Sequence, residues 1–492
     1  MPIKPSAPRS LRRLLLALLL AGIVPLRAHP VLEWNDLMLD AIRASNTAPT
    51  LSTRNLAMLN LAMWDAVNSV RREHQRYRFQ LTAPVDASPE AAAVGAARYV
   101  VPTLYPASAA GASALFNAWW QTSGQNQPAT DGLALGEAIG RLTIESRAND
   151  GAATQVPYIP SAEPGEWRRT PPFFRPPLDP HWRWVDPFAI PAVDPFVVPP
   201  PPPLDSPEYA TAFSEVAAIG AMQSRVRTPE QSLIATFWSD FSYTAMPPGH
   251  WYEIAIGIAR DQGTGLEASA RLMALLSLAQ ADAAIVCWEG KYRYNFWRPV
   301  TAIQRADEDD NPATVRDANW DSWLVAPNFP EYPSGHSTFS RAGAEILARF
   351  YGTDALTFSA ASDSVPGVTR TYSSLKGCAD EVGLSRIYGG IHFEFANREG
   401  KRSGAKVAQF IASNWLLPLD QLPLVRLEGV IDGHPQLRVH GIEDSLVRVE
   451  SSTNLRDWST LGEITAIPGG VELIDDRPPP ADGFCFYRAT TP

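Results

Sequence analysis

Cysteine is scarce: 492 residues contain three, Cys287, Cys378 and Cys485. The odd count and wide spacing exclude a disulfide-framed scaffold and match no cysteine zinc motif. Export would permit one disulfide, but the sequence does not choose a pair. Positive charge is in deficit, with 42 Lys and Arg against 52 Asp and Glu and a formal net charge of −10. Such a chain is a poor general binder of nucleic acid, so an anion site would need a local cluster of cations. Long apolar runs are also missing. "LLLALLLAGIV" (14–24) is too short to cross a bilayer comfortably, and no later stretch reads as 18 apolar residues. Lys4, Arg9, Arg12 and Arg13 precede that run and "LRA" (26–28) follows it, which predicts a secretion signal over 1–28. Its removal, which also takes Arg27, moves the formal charge from −10 to −15. The mature chain is expected to be exported and to have no membrane span.

What is present points to buried cores. The chain is 45% hydrophobic with 15 Trp, and its length allows two to four domains. Apolar residues recur at helical spacing in "TRNLAMLNLAMWDAVNSV" (53–70): Leu56, Leu59, Met63, Ala66, Val67 and Val70. Stretches 91–106 and 131–150 continue the pattern, giving an N-terminal helical half over 29–170. Many of the 45 prolines fall in 171–206, ending in "VVPPPPPLDS". That run cannot be helical and is expected to be extended. Its aromatics ("PHWRWVDPF", 180–188) predict that it packs on the body as a connection. Helical patterns return over 207–418, most clearly at 252–263, 267–297, 339–352 and 400–416. From 424 to 492, short alternating runs broken by Gly, Asp, Asn and Pro predict a small antiparallel β module. The expected fold is mainly α, two helical bundles followed by that module.

Three short stretches carry the chemistry. In "KYRYNFWRP" (291–299), Lys291 and Arg298 are seven apart, two helical turns, so both should project from one face, with Pro299 ending the helix. The aromatics between them predict burial, and two buried like charges require an anion to offset desolvation and repulsion. In "NFPEYPSGHSTFSRAGAEIL" (328–347), Phe339, Ala342, Ile346 and Phe350 keep helical spacing, which puts Ser334, Gly335 and His336 at the first turn. A helix N-terminus offers unpaired N–H groups, glycine permits close approach and Ser334 can donate a hydrogen bond. A plain helix cap would need no more than this. In "SRIYGGIHFEF" (385–395), Arg386 and His392 are six apart and converge only if the helix breaks near Gly389–Gly390. A core histidine beside a surface arginine is the simpler reading of that stretch alone. Taken together, the three stretches gather three cations, a hydroxyl, a free backbone and two imidazoles. That set suits a tetrahedral or trigonal-bipyramidal oxyanion.

The order Lys-x6-Arg-Pro, Pro-Ser-Gly-His, Ser-Arg-x5-His resembles the signature shared by vanadium-dependent haloperoxidases and type 2 phosphatidic acid phosphatases. All seven positions match, and broader similarity covers roughly 31–415, including "WNDLMLDAIR", "AMWDAVNS", "FWSDFSYTAMPPGHW" and "NFWRPVTAI". These flanks look more like the bacterial haloperoxidases than the membrane-embedded phosphatases. The resemblance implies vanadate held by Lys291, Arg298, Ser334, Gly335 and Arg386, with His392 bonded to the metal and His336 as acid–base. Hydrogen peroxide would then oxidise a halide, with Lys291 polarising the oxidant, and a small organic acceptor would consume the hypohalous product. A homo-oligomer is compatible with this reading. The same pocket would serve an acid phosphatase, with His392 attacking phosphorus and His336 protonating the leaving group. A degenerate anion-binding protein is the non-enzymatic reading. Phe329 stands where chloride-oxidising members tend to carry phenylalanine and bromide-oxidising members histidine. One position departs: Ala396 replaces an acid that would orient the site. Asp240 matches an acid position in the family and is expected to stand behind the site. Asp65, Asp282 and His250 lie in family-like stretches and read as structural.

Overall fold

The computed structural model describes residues 29–478 and 485–492. The secretion signal read over 1–28 lies outside the described residues. Many of the helices start with a proline, where its missing N–H costs nothing. The first half is built from α1 (Pro30–Ser45), α2 (Pro49–Arg71), α3 (Pro89–Leu104), α4 (Ala109–Trp120) and α5 (Gln127–Ser146). Pro30, Pro49 and Pro89 each stand in a first turn, and Ser88 and Asn126 cap α3 and α5 with their side chains. The second half contains α6 (Pro207–Ile219), α7 (Pro229–Phe237), α8 (Met246–Asp261), α9 (Leu266–Tyr294), α10 (Pro299–Gln304), α11 (Gly335–Tyr351), α12 (Leu375–Tyr388) and α13 (Glu394–Asn414).

The two halves share one core. A single apolar cluster runs from Val31 through Leu276 to Leu416, because α9 packs on α2 on one side and on α11 and α13 on the other. This helix corrects an expectation from the sequence. Among the described residues, α9 is long and apolar enough to cross a membrane, with a mean hydropathy of 1.5 over its best window. That window is 94% buried inside the protein, as expected for a helix with neighbours on every side.

The Pro-rich segment is mostly extended, as expected, with two 3-10 turns at Pro180–Trp184 and Asp194–Phe196. It is packed down, with Trp182 and Phe188 buried. The backbone N–H groups of Phe188, Ala189 and Ile190 donate to the Asp282 carboxylate at 2.6, 2.8 and 2.8 Å. Asp65 receives Tyr77, Arg78 and Phe79 in the same way. Both acids therefore have the structural role read for them.

A hairpin of β1 (Phe358–Ala361) and β2 (Thr369–Tyr372) interrupts the second half, which the sequence suggested was helical throughout. Its strands have four residues each, too short for a periodic signal. The C-terminal module has two antiparallel three-stranded sheets. One is ordered β3 (Leu424–Ile431), β4 (His434–His440), β7 (Val471–Ile474); the other is β6 (Ser459–Thr465), β5 (Leu446–Ser452), β8 (Phe486–Thr490). Leu437, Val439, Val447, Val449 and Ala466 form its separate core. All three cysteines are free, and Cys287 and Cys378 are buried.

Candidate functional site

The seven residues singled out from the sequence come together at one end of α9, though not all as expected. Lys291 lies in the last turn of α9. Asn295 then takes a left-handed conformation (φ 47°) and ends the helix. Arg298 is the N-cap of α10, and Pro299 opens that helix instead of closing the previous one. Lys291 and Arg298 are therefore not on one helix face; the chain reversal between them brings them together. The break expected at Gly389–Gly390 is present. There α12 ends at Tyr388, and Gly390 has a φ of 73°, which only glycine adopts freely. This delivers Arg386 from the helix and His392 from the loop beyond it. Ser334 is the N-cap of α11, with Gly335 and His336 in its first turn, as the helical spacing predicted.

Burial is close to complete. Lys291, Arg298, Ser334 and Arg386 have no solvent-exposed surface. The guanidinium of Arg298 donates to the carbonyls of Phe329 (3.0 Å) and Ile391 (2.9 Å), and Arg386 donates to that of Trp238 (2.9 Å). Arg298 Nη2 and Arg386 Nε and Nη2 are buried without a partner. Unpaired donors on buried cations are costly, and their convergence marks a place for an oxyanion. Burial pulls Arg298 down to about 10 and Arg386 down to about 9. Lys291 is pulled down to about 7, chiefly by burial and further by Arg298. Its Nζ donates to the carbonyls of Pro330, Glu331 and Pro333, so all three of its hydrogens are already directed at the 330–333 loop. Lys291 thus contributes charge near the site more than a free donor.

The two histidines differ. Arg298 Nη1 lies 3.2 Å from His392 Nε2, and since arginine only donates, Nε2 is the lone-pair nitrogen. The proton then sits on Nδ1, 2.7 Å from Glu331 Oε1. Burial, with Arg298 and Lys291 nearby, holds His392 well below its usual range, so it is neutral. Glu331 has no exposed surface, also accepts from the Phe393 N–H (3.0 Å), and is pushed up to about 7 by burial. The sequence reading missed this residue. It lies in the quoted loop, but no spacing rule pairs it with a histidine 61 positions later. Ala396 does lack a carboxylate, as read; its carbonyl accepts the Ser334 N–H (3.0 Å), and the acid beside His392 is Glu331 instead.

His336 Nε2 is buried, has no hydrogen-bond partner and lies 4.0 Å from Asp240 Oδ2. Burial and then Arg386 hold it well below the usual histidine range. Asp240 Oδ1 is 3.0 Å from His250 Nδ1, so His250 belongs to the layer behind the site and is more than a packing residue. Ser334 Oγ lies 2.9 Å from Ser337 Oγ, which is also 2.9 Å from Asn397 Oδ1. A methyl group on Gly335 would meet Phe339, Trp288 and Lys291 only at 3.7–3.9 Å. Packing does not demand glycine there; its absence of a side chain leaves space before the amide. Phe329 lies under both cations, with its ring centre 4.9 Å from Lys291 Nζ and 4.9 Å from the Arg298 guanidinium. His336, Arg386, His392 and Gly335 open into a cavity of about 480 Å³. No group of three or more His, Cys, Asp or Glu that could enclose a metal cation occurs among the described residues. The site is built for an anion.

Comparison with known proteins agrees with this geometry. The family described as the VCPO second helical-bundle domain matches residues 271–416, the segment that contains all seven residues. The vanadium chloroperoxidase of Curvularia inaequalis is 24% identical over 91% of this chain and 89% of its own length. A bacterial vanadium-dependent iodoperoxidase structure superposes with a TM-score of 0.70 and 27% identity, covering 79% of this chain and 97% of that one. A bacterial vanadium-dependent chloroperoxidase in its holo form gives a TM-score of 0.60 at 17% identity, covering 75% and 91%, which is a likeness of fold. In its motif order, its helical fold and the match of residues 271–416 to that domain, the chain is similar to the vanadium-dependent haloperoxidases.

Proposed function

We propose that the protein is a vanadate-dependent haloperoxidase that uses hydrogen peroxide to oxidise a halide to a hypohalous species. The observation that carries this is His392, whose Nε2 lone pair faces Arg298 Nη1 at 3.2 Å in a pocket where Arg298 Nη2 and Arg386 Nε and Nη2 are buried without a partner. These residues fit a vanadate. Arg298 Nη2 and Arg386 Nε and Nη2 would satisfy its oxygens, with the Ser334 hydroxyl and the Gly335 amide completing the cradle. Lys291 would add positive charge, and His392 Nε2 would be the one protein atom bonded to the metal. Vanadate, when bound, supplies Lewis acidity that activates peroxide without a change of metal oxidation state.

The rest of the chemistry falls to side chains. His336 is neutral and its Nε2 has no partner in the protein, so it can take a proton from incoming peroxide and return it to a departing oxygen. Asp240, 4.0 Å away, stabilises the charge His336 then gains. Glu331 keeps the His392 proton on Nδ1 and so keeps the lone pair on Nε2. Export through residues 1–28 is part of the proposal and is checked by fractionation. The decisive test uses apoprotein. Added vanadate should restore bromide or iodide oxidation, and phosphate should suppress it competitively. Indifference to vanadate together with rapid hydrolysis of phosphate monoesters would assign the pocket to phosphatase chemistry through the same His392.

A further inference from the structure

The cavity is far larger than its oxyanion. At about 480 Å³ it lies in the range of sites for organic ligands, whereas vanadate, peroxide and a halide each displace only a few waters of roughly 30 Å³. The walls of the cavity are mainly apolar. Phe173, Phe241 and Val325 are 60%, 38% and 41% exposed there, and Leu178 and Phe339 line the way to His336. Exposed rings clustered at the entrance to a catalytic pocket are costly to leave in water and mark a binding surface.

The mouth is preorganised. Leu178 N–H donates to the Asn328 carbonyl (2.9 Å), and the Asn328 amide donates to the Pro176 carbonyl (2.5 Å), so the Pro-rich strap is tied to the 325–329 loop. On the facing wall Asp240, Tyr243 and Met246 all have left-handed φ (45°, 68° and 65°), an unfavourable backbone for such residues. The Tyr243 N–H is anchored to Asn46 Oδ1 at 3.0 Å.

The charge at the mouth has one sign. Arg175 lines the cavity, lies 4.7 Å from the Phe173 ring and makes no ion pair among the described residues. The single carboxylate in the lining is Asp240, already turned to His250 and His336. In a chain of net charge −10, an unpaired arginine beside an exposed ring offers an aromatic anion both a counter-charge and a ring face.

We infer that this vestibule binds the organic acceptor, a small aromatic ring carrying a carboxylate. The carboxylate faces Arg175 and the ring lies between Phe173, Phe241 and Val325. The inference rests on the haloperoxidase reading and names the acceptor class for that site. The reaction balances as follows. Halide, hydrogen peroxide and a proton give hypohalous acid and water. An electron pair of the ring then takes the halogen, the ring loses a proton, and that proton leaves with hydroxide as water. A ring held here meets the oxidant before it escapes.

The test titrates vanadate-loaded enzyme, without peroxide or halide, with 4-hydroxybenzoate and with its neutral counterpart 4-hydroxybenzamide. The benzoate should bind about two- to fivefold more tightly, the range of an exposed ion pair. Arg175→Gln should abolish that preference, and Val325→Trp should weaken both ligands by narrowing the mouth. Equal affinities in the unmodified enzyme would overturn the assignment. So would benzoate binding to apoprotein that vanadate displaces, because the ligand would then occupy the deep cradle. Peroxide-dependent iodide oxidation without acceptor is measured in parallel. If it is present while neither ligand binds, the vestibule assignment falls alone; if it is absent while the benzoate still binds, the haloperoxidase reading falls and takes the acceptor role with it, leaving only a site for an aromatic anion.

Discussion

His392 is buried and His336 half-buried, and both are held well below the usual histidine range, yet their surroundings assign them different work. His392 has its proton held by Glu331 and its lone pair among donors; His336 has Asp240 at 4.0 Å and no hydrogen-bond partner on Nε2. His392→Ala should lose most vanadate affinity, because the proposed bond from Nε2 to vanadium is lost. His336→Ala leaves the cations and the amide cradle intact, so vanadate should still bind while turnover falls by roughly 10²–10⁴. Glu331→Gln keeps the volume but removes the charge that orients His392, and should weaken vanadate binding by about tenfold, the low end for such partners. Equilibrium vanadate binding measured beside halide oxidation separates the three. Normal binding by His392→Ala with none by His336→Ala would reverse the roles. At this scale the sequence was legible for residues that stand in short motifs. It was silent on Glu331, whose partner is distant along the chain and adjacent only in space.

At the scale of elements, chain breaks and close helix packing build the site. Asn295 and Gly390 turn the backbone at the two places where Arg298 and His392 must swing inward. The glycine pair was readable, because two glycines in a helical pattern announce a break. The asparagine was not, because a left-handed Asn is chosen by context and α9 looked as if it continued to Pro299. Helices α11 and α13 approach closely at Gly400 and Gly404. A methyl on Gly404 would sit 2.1 Å from the Thr338 carbonyl oxygen, and one on Gly400 would sit 2.6 Å from that of Ser334. Backbone cannot move aside cheaply, so Gly404→Ala should cost about 1–3 kcal/mol of stability, read by thermal or denaturant unfolding. Gly400→Ala should, in addition, weaken vanadate binding, because it pushes on the residue that caps the cradle. Equal vanadate affinity in a destabilised Gly400→Ala protein would show that the cradle is set elsewhere.

At the scale of the whole molecule, the helical halves cannot be separated, since α9 lies in the core of both. The β module is different. It has its own small core and touches the body through a short seam, in which His440 Nε2 meets Asn414 Oδ1 at 3.0 Å and Trp415 packs against Gly469. No residue lining the cavity lies beyond His392. A chain ending after Pro423 is therefore expected to fold, to lose some stability through the bared seam, and to keep most of its vanadate affinity and halide oxidation. A folded truncation that no longer binds vanadate would show that the module supports the site from a distance.

Helices, the β module and seven of the site residues could be read from local information alone, since periodicity, proline placement and motif spacing are all properties of neighbouring residues. Three things could not. The pairing of Glu331 with His392, the sharing of one core between the two halves and the tie of the 173–178 strap to the 325–329 loop all depend on contacts between residues far apart in the chain. The membrane-like composition of α9 has the same explanation. A helix covered by protein and a helix covered by lipid satisfy the same apolar requirement, and only the packing around α9 shows that its cover is protein.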